Sequence, residues 1–375
     1  MMSPLVGVKA YGWQWATDHG LSMRQAAARM ASHGVDWALV QNLVDPLPGS
    51  AVAQVPPSGA YGDRAWVSEL RDQGMRVYQS TAAFFDPEEF RAHADLRPVA
   101  ADGSVFEPFT WYYGLCPSSP EYRRRKAERF AEAVAATEPD GVFLSFLRFP
   151  GFWEMWLPGT ERVDIPEYCF CERCTGLFED RTGVRLPQDF GRRVGVLTHE
   201  LREQWTAFKW GLIAEAAAEL ARAARSARPD VDVILNGFGL GATDFDDAIE
   251  EVLGQRFADL DAVFDHYELM FYFQIQKRDP AAWIPRRISE ARSQTPKTLL
   301  ACLQGGAEYL EDVYRSGGRR REITDEDWRE ALRAVDASGA DGVMVYSWKD
   351  LLDDEARDGS RVRDLLAYKE GALGH

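Results

Sequence analysis

Four of the five cysteines are placed to hold a metal. Residues 168–174 read Tyr-Cys-Phe-Cys-Glu-Arg-Cys, so Cys169, Cys171 and Cys174 form a C-x-C-x-x-C run, and Cys116 adds a fourth thiol upstream. Four thiolates are the tetrahedral donor set of a closed zinc site, which leaves no open position for water, so such a zinc is structural and not the catalyst. The alternatives are a disulfide framework or plain buried thiols. Clustered thiols in a chain whose first residues show no export signal favour the metal. Cys302 stands alone in an apolar run and reads as a buried strand residue.

The carboxylates offer different chemistry. Glu154 sits beside Trp153 and Trp156, apolar neighbours that would raise a carboxyl pKa toward general-acid duty; a solvated loop glutamate is the plain reading. Residues 263–274 read Val-Phe-Asp-His-Tyr-Glu-Leu-Met-Phe-Tyr-Phe-Gln. In a regular strand Asp265 and Tyr267 share one face, and His266 and Glu268 the other. Glu268, nearer the C-terminal end, is the preferred catalytic carboxylate and Asp265 the second; a satisfied polar group in the barrel wall is the plain reading for Asp265. Arg148 is placed to orient a carboxylate of protein or substrate. Trp13, Asn42, Trp153, Asn236, Tyr267, Gln304 and Trp348 add rings and amides suited to neutral hydroxylated ligands, by stacking and hydrogen bonding. Taken singly, each is as well explained by packing.

These residues need a scaffold, and the chain supplies a repeating one. Short apolar runs at 6–11, 37–41, 75–80, 141–146, 231–235, 262–267, 298–303 and 342–347 read as buried parallel strands. Amphipathic stretches lie between them at 22–32, 62–73, 120–137, 195–225, 244–253, 280–293 and 325–338, with capping residues such as Ser22, Asp244 and Thr324. Eight strand–helix units predict an α/β fold, a (β/α)8 TIM barrel, with chemistry at the C-terminal strand ends. A doubly wound sheet would carry a glycine-rich phosphate turn after an early strand; the Gly-Phe-Gly-Leu-Gly run at 237–241 follows the fifth. The expectation is one barrel domain over 1–375, with loop insertions at 81–117 and 147–194 after strands 3 and 4. The four cysteines fall in these two insertions, so a zinc would staple one to the other and offset the entropy of ordering them.

Composition limits the partners. The 375 residues are 46% hydrophobic and 27% charged, enough for a large core, and the formal charge of −16 argues against nucleic acid. No apolar stretch approaches the roughly 20 residues that cross a bilayer, so no membrane partner is expected and cytoplasmic location is the default. There is no G-x-S-x-G elbow and no H-x-H or H-E-x-x-H spacing among the six histidines, which speaks against a serine nucleophile and an open catalytic metal site.

The cysteine package, from Cys-Pro-Ser-Ser-Pro-Glu-Tyr-Arg-Arg (116–124) through the cluster to Thr-Gly-Leu-Phe-Glu-Asp-Arg-Thr-Gly-Val (175–184), resembles the cysteine loop of glycoside hydrolase family 42 β-galactosidases and related barrel hydrolases. Asp-Gly-Val-Phe-Leu-Ser-Phe-Leu-Arg-Phe-Pro-Gly-Phe-Trp-Glu (140–154) resembles the DGI-x-LD-Y/F-x-RFP segment of such barrels, and Met270–Tyr272 with 278–285 extends the likeness. The resemblance implies a glycosidase that cleaves a carbohydrate or glycoside with a carboxylate pair, and assembly as a homo-oligomer. Two departures stand against it. Ser145 replaces the acid of the fourth-strand segment, and Gln304 stands where family 42 enzymes place a nucleophilic glutamate on the seventh strand, with Glu308 four residues later. They motivate an alternative, a catalytically degenerate barrel that binds carbohydrate without cleaving it.

Overall fold

The computed structural model describes residues 3–41, 63–308 and 312–373. Its strands are β1 (Leu5–Ala10), β2 (Trp37–Gln41), β3 (Arg76–Ala82), β4 (Gly141–Ser145), β5 (Asp232–Phe238), β6 (His266–Phe271), β7 (Thr298–Gln304) and β8 (Gly342–Tyr346). They pair in chain order, all parallel, and β1 pairs with both β2 and β8 to close a barrel. This is the expected (β/α)8 fold. Both strand faces are buried, one by the lumen and one by the helices, which is why these segments read as unbroken apolar runs.

Helix starts follow local chemistry. Ser22 and Thr324 each make a capping box, with Gln25 and Asp327, at the heads of Met23–Ser32 and Asp325–Ser338. Asp279 caps Pro280–Gln294, whose proline occupies the first turn where no N–H partner is needed. Asp244, expected to be a cap, is not one. Its carboxylate accepts from Gly241 N at 2.9 Å and pairs with Arg278 at 2.9 Å, and the helix there shrinks to Ala248–Glu251.

The sixth strand starts four residues later than its apolar run suggests, because Asp265 closes its N-terminal end. Four aspartates repeat this device. Asp36, Asp140, Asp265 and Asp341 precede β2, β4, β6 and β8, and their carboxylates accept from Val6 N at 3.0 Å, Val77 N at 2.9 Å, Val233 N at 2.8 Å and Leu299 N at 2.8 Å. Each also meets a cation: Lys369 at 2.7 Å, Arg71 at 2.8 Å, Arg225 at 2.9 Å and Arg292 at 2.6 Å. The lumen above is plugged by Trp37, Tyr78 and His266, with Arg76 over the first two rings. Gly141 is required here, since a Cβ would collide with the Tyr78 ring.

The segments after β3 and β4 rise over the C-terminal end. The second holds the helix Glu172–Thr182 and is tied to the long helix Arg202–Ala227 by a buried ion pair, Glu167 to Lys209 at 2.6 Å. Among the described residues no helix is long and apolar enough to cross a membrane.

Candidate active site

The lumen's middle layer is polar. Lys9 on β1 and Glu268 on β6, 2% and 0% exposed, form an ion pair at 2.7 Å. Asn236 on β5 donates to the other Glu268 oxygen at 2.5 Å, and Lys9 also donates to the Tyr272 hydroxyl at 3.1 Å. Burial opposes the Lys9 ammonium, but Cys302, Glu268 and Tyr11 outweigh it and raise its pKa. Burial likewise pushes the Tyr11 phenol up to about 12. The Lys9 ammonium therefore stays charged, which excludes a neutral-amine nucleophile. Tyr272 stacks on Tyr346 at 5.2 Å and meets Trp153 at 5.9 Å, closing the layer above.

The upper layer is built on the loop after β4. Phe146, the first residue past the strand, has φ 50°, a left-handed turn that is unusual for a bulky side chain and re-aims the chain. Arg148 follows, nearly buried, its guanidinium 5.0–5.6 Å from the ring centres of Phe146, Phe238 and Tyr112. Its Nη2 reaches only Gly151 O, at 3.5 Å, and its Nε has no hydrogen-bond partner among the described residues. Glu154 lies in the short helical turn Trp153–Met155 and is 7% exposed. Burial pushes its carboxyl up to about 7, against the pull of Arg148 and Arg319, and its Oε2 has no hydrogen-bond partner among the described residues. A carboxyl half-protonated at neutral pH with an unspent oxygen is equipped to donate a proton.

One turn, Phe273–Gln276, fastens this loop to the end of β7. Gln276 donates to Trp153 O at 3.1 Å, and Arg319 joins Ile275 O to Glu154 O. Gln274 donates to Glu308 O at 3.1 Å and accepts from Glu308 N at 3.2 Å. Gln304 in turn donates to Gln274 at 3.2 Å and accepts from the Gln274 and Ile275 amides at 3.1 and 3.2 Å. So Gln304 is a fully engaged clamp, and Glu308 is carried by the loop that this clamp holds. The Tyr314 phenol is raised first by burial, then by the charges of Glu154 and Glu308.

The structure moves several expected site residues elsewhere. Asp265 lies at the N-terminal end of the barrel, away from the strand ends where barrel chemistry sits. Tyr267 points outward, as period-2 alternation demands once Glu268 points in; it packs on Phe257 and donates to Asp261 at 3.1 Å. Trp348 is buried in the helical layer with its indole on His33 Nδ1 at 3.4 Å, and Trp13 is buried against Trp15. Neither is an open platform. Asn42 falls outside the described residues. Trp153, Arg148, Gln304 and Glu154 lie around the upper lumen, with Asn236 and Glu268 in the polar layer beneath. Sequence reasoning passed over Lys9, although a single lysine inside an otherwise apolar strand was a signal for a buried partner.

Above the barrel the sulfur atoms of Cys116, Cys169, Cys171 and Cys174 all lie within 4.8 Å of one another. Cys116 is 3.4 Å from Cys174 and 3.8 Å from Cys171, near the edge of about 3.8 Å that ~2.3 Å zinc–sulfur bonds impose on a tetrahedron. Val99 N donates to Cys169 Sγ at 3.3 Å and Cys174 N to Cys171 Sγ at 3.5 Å, as thiolate ligands require. The donor set fits a four-coordinate metal.

No family model matches this chain, and no curated protein matches it in sequence. Solved structures do match its fold. The PgaB (BpsB) glycoside hydrolase domain from Bordetella bronchiseptica superposes with a TM-score of 0.66 at 15% identity, over 96% of this chain and 99% of that one. A β-galactosidase from Halorubrum lacusprofundi gives 0.67 at 15% identity, over 98% of this chain and 57% of that one. A GH42 β-galactosidase from G. stearothermophilus gives 0.67 at 13% identity, over 99% and 57%. The chain therefore has the barrel fold of these glycoside hydrolases, and spans little more than half the length of the two β-galactosidases.

Proposed function

We propose that this chain is a glycoside hydrolase acting on a carbohydrate at the C-terminal mouth of the barrel. The observation that carries the reading is Glu154: buried among tryptophans, poised near neutrality, one oxygen unspent. It is the proton donor to the leaving-group oxygen. The second carboxylate is Glu308, on the loop after β7 that Gln274 holds. Glu268 is the floor of the site, since Lys9 and Asn236 occupy both its oxygens. The four thiols hold a structural zinc that supplies no chemistry and fixes the two insertions over the mouth. Glycosidases need two carboxyl groups across the scissile bond, and fold alone does not provide them.

Sugar release from a panel of aryl glycosides and oligosaccharides tests this. Wild type should cleave at least one member, and Glu154→Gln and Glu308→Gln should each lose most of that activity while remaining folded. Full activity in Glu154→Gln would remove the assignment.

One observation favours a barrel that binds carbohydrate without cleaving it. Ser145 and Gln304, standing where acids are expected, are both spent on the scaffold, Ser145 donating to Thr81 O at 3.1 Å. Saturable binding across the panel with no turnover would establish that reading instead.

A further inference from the structure

The two insertions meet at the mouth through aromatic rings that are not fully covered. Residues Phe109 and Tyr112 close a tight turn, with Phe109 N on Tyr112 O at 3.2 Å and Tyr112 N on Phe109 O at 2.9 Å, and Thr110 at its tip has φ 52°. The turn is rigid underneath: Tyr112 is 1% exposed and stacks on Phe85 and Phe146. Its upper face is different. Phe109 is 39% exposed, one of three large hydrophobic side chains so exposed among the described residues, and Trp111 is half-buried. Phe152, also half-buried, comes from the other insertion and meets Phe109 at 4.7 Å and Trp111 at 5.7 Å.

Position makes this cluster more than rim packing. Phe152 is two residues before Glu154, and its ring meets Trp111 and Phe109, so the cluster adjoins the loop that carries the buried acid. The partly open rings therefore sit beside the short helical turn that holds Glu154. Partly exposed, rigid aromatic faces suit the apolar face of a sugar ring. A single sugar unit seated at Glu154 would leave them uncovered.

We propose that Phe109, Trp111 and Phe152 form a second sugar-binding subsite, so that the substrate is an oligosaccharide in which one ring reacts at Glu154 and the neighbouring ring stacks on this platform. The inference rests on the carbohydrate reading of the site, though not on cleavage. It assigns the zinc cluster an indirect part, since the platform exists only while both insertions are held together.

The test uses 4-nitrophenyl glycosides of one, two and four identical sugar units, built on whichever sugar the panel identifies. Wild-type kcat/KM should rise with length. Phe109→Ala, which removes an exposed ring and leaves the fold intact, should cut kcat/KM for the longer substrates by about tenfold through KM and leave the one-unit substrate unchanged; Trp111→Ala should lower kcat/KM for the longer substrates more strongly. No length dependence in wild type, or an equal loss at every length in both variants, would overturn the subsite. If wild type cleaves nothing, the reaction assigned to Glu154 fails separately. Calorimetric titration with the unmodified four-unit oligosaccharides then decides the platform: binding weakened about tenfold by Phe109→Ala supports it, and binding that the variant leaves unchanged, or no binding at all, overturns it.

Discussion

The two ends of this barrel use carboxylates in opposite ways. At the N-terminal end, Asp36, Asp140, Asp265 and Asp341 each accept a strand N–H and meet a cation. At the C-terminal end, Glu154 is buried with an oxygen that nothing fills, beside an arginine held by ring faces. Spent hydrogen-bonding capacity marks scaffold, because a buried polar group without a partner costs about 1–3 kcal/mol. A protein retains such a cost where a ligand repays it. Glu268 shows that height in the lumen is not the criterion: it sits below the mouth, with one oxygen accepting from Asn236 and the other ion-paired to Lys9, so it belongs with the scaffold.

Stripping the metal should separate the two ends most sharply. Structural zinc contributes on the order of 10 kcal/mol in small domains, and the four thiols that would hold it lie in the two insertions. Chelation, or Cys174→Ser, should abolish activity and expose the backbone of 81–117 and 147–194 to hydrogen exchange. Amides of the strands and the four aspartate caps should stay protected. Metal analysis of the purified protein should return one zinc per chain. Uniform loss of protection would mean that the mouth and the base form one cooperative unit.

Next in size is the floor. Glu268→Ala leaves the Lys9 ammonium buried and unpaired, which costs about 3–5 kcal/mol. The variant should melt far below wild type. A double variant, Lys9→Met with Glu268→Leu, should recover most of that stability, since an apolar pair replaces a buried ion pair at little cost. Failure to recover would place Glu268 with the reacting groups.

Glu154 should behave in the reverse sense. Its pKa in the folded protein, about 7, lies above the ordinary 4.5. Below pH 4.5 both states hold the proton and nothing is lost. As pH rises from there to 7, the unfolded state ionises first, so stability falls, by about 3 kcal/mol in total, and levels off above 7. Glu154→Gln should therefore match wild type near pH 4 and melt higher than wild type at pH 8, while losing activity. The wild-type rate should fall as pH passes 7, where the acid loses its proton. A variant less stable at every pH would make Glu154 part of the scaffold.

How much of this was legible in the sequence follows the same division. The strands were readable because both faces of a parallel barrel strand are apolar, and seven of the eight runs begin within a residue of the observed strands. The sixth was displaced because Asp265 is a cap, and a cap looks like a catalytic acid when only its spacing is known. The burial of Glu154 was legible from its tryptophans, and the gathering of the four cysteines from their spacing. Tyr267 followed from alternation once the register was fixed. What stayed hidden was long-range pairing: that Lys9 belongs to Glu268 across 259 positions, and that Gln304 works through Gln274 to hold Glu308. Local pattern carries no information about which distant partner consumes a side chain's hydrogen bonds.

The smallest effect is the most discriminating. Asp265→Asn keeps an oxygen for the Val233 N–H and loses only the charge facing Arg225. Those two side chains are 40% and 38% exposed, so solvent screens the pair and its loss should cost no more than about 0.5–1 kcal/mol. Asp265→Ala also strands the N–H and should cost about 1–2 kcal/mol. In both variants kcat should equal that of wild type, because the carboxylate sits at the opposite end of the strands from the mouth. A collapse of kcat in Asp265→Asn without a change in melting would break the division between the two ends, since charge at the base would then be reaching the chemistry. Equal small losses of stability at all four capping aspartates, with unchanged turnover, would sharpen it.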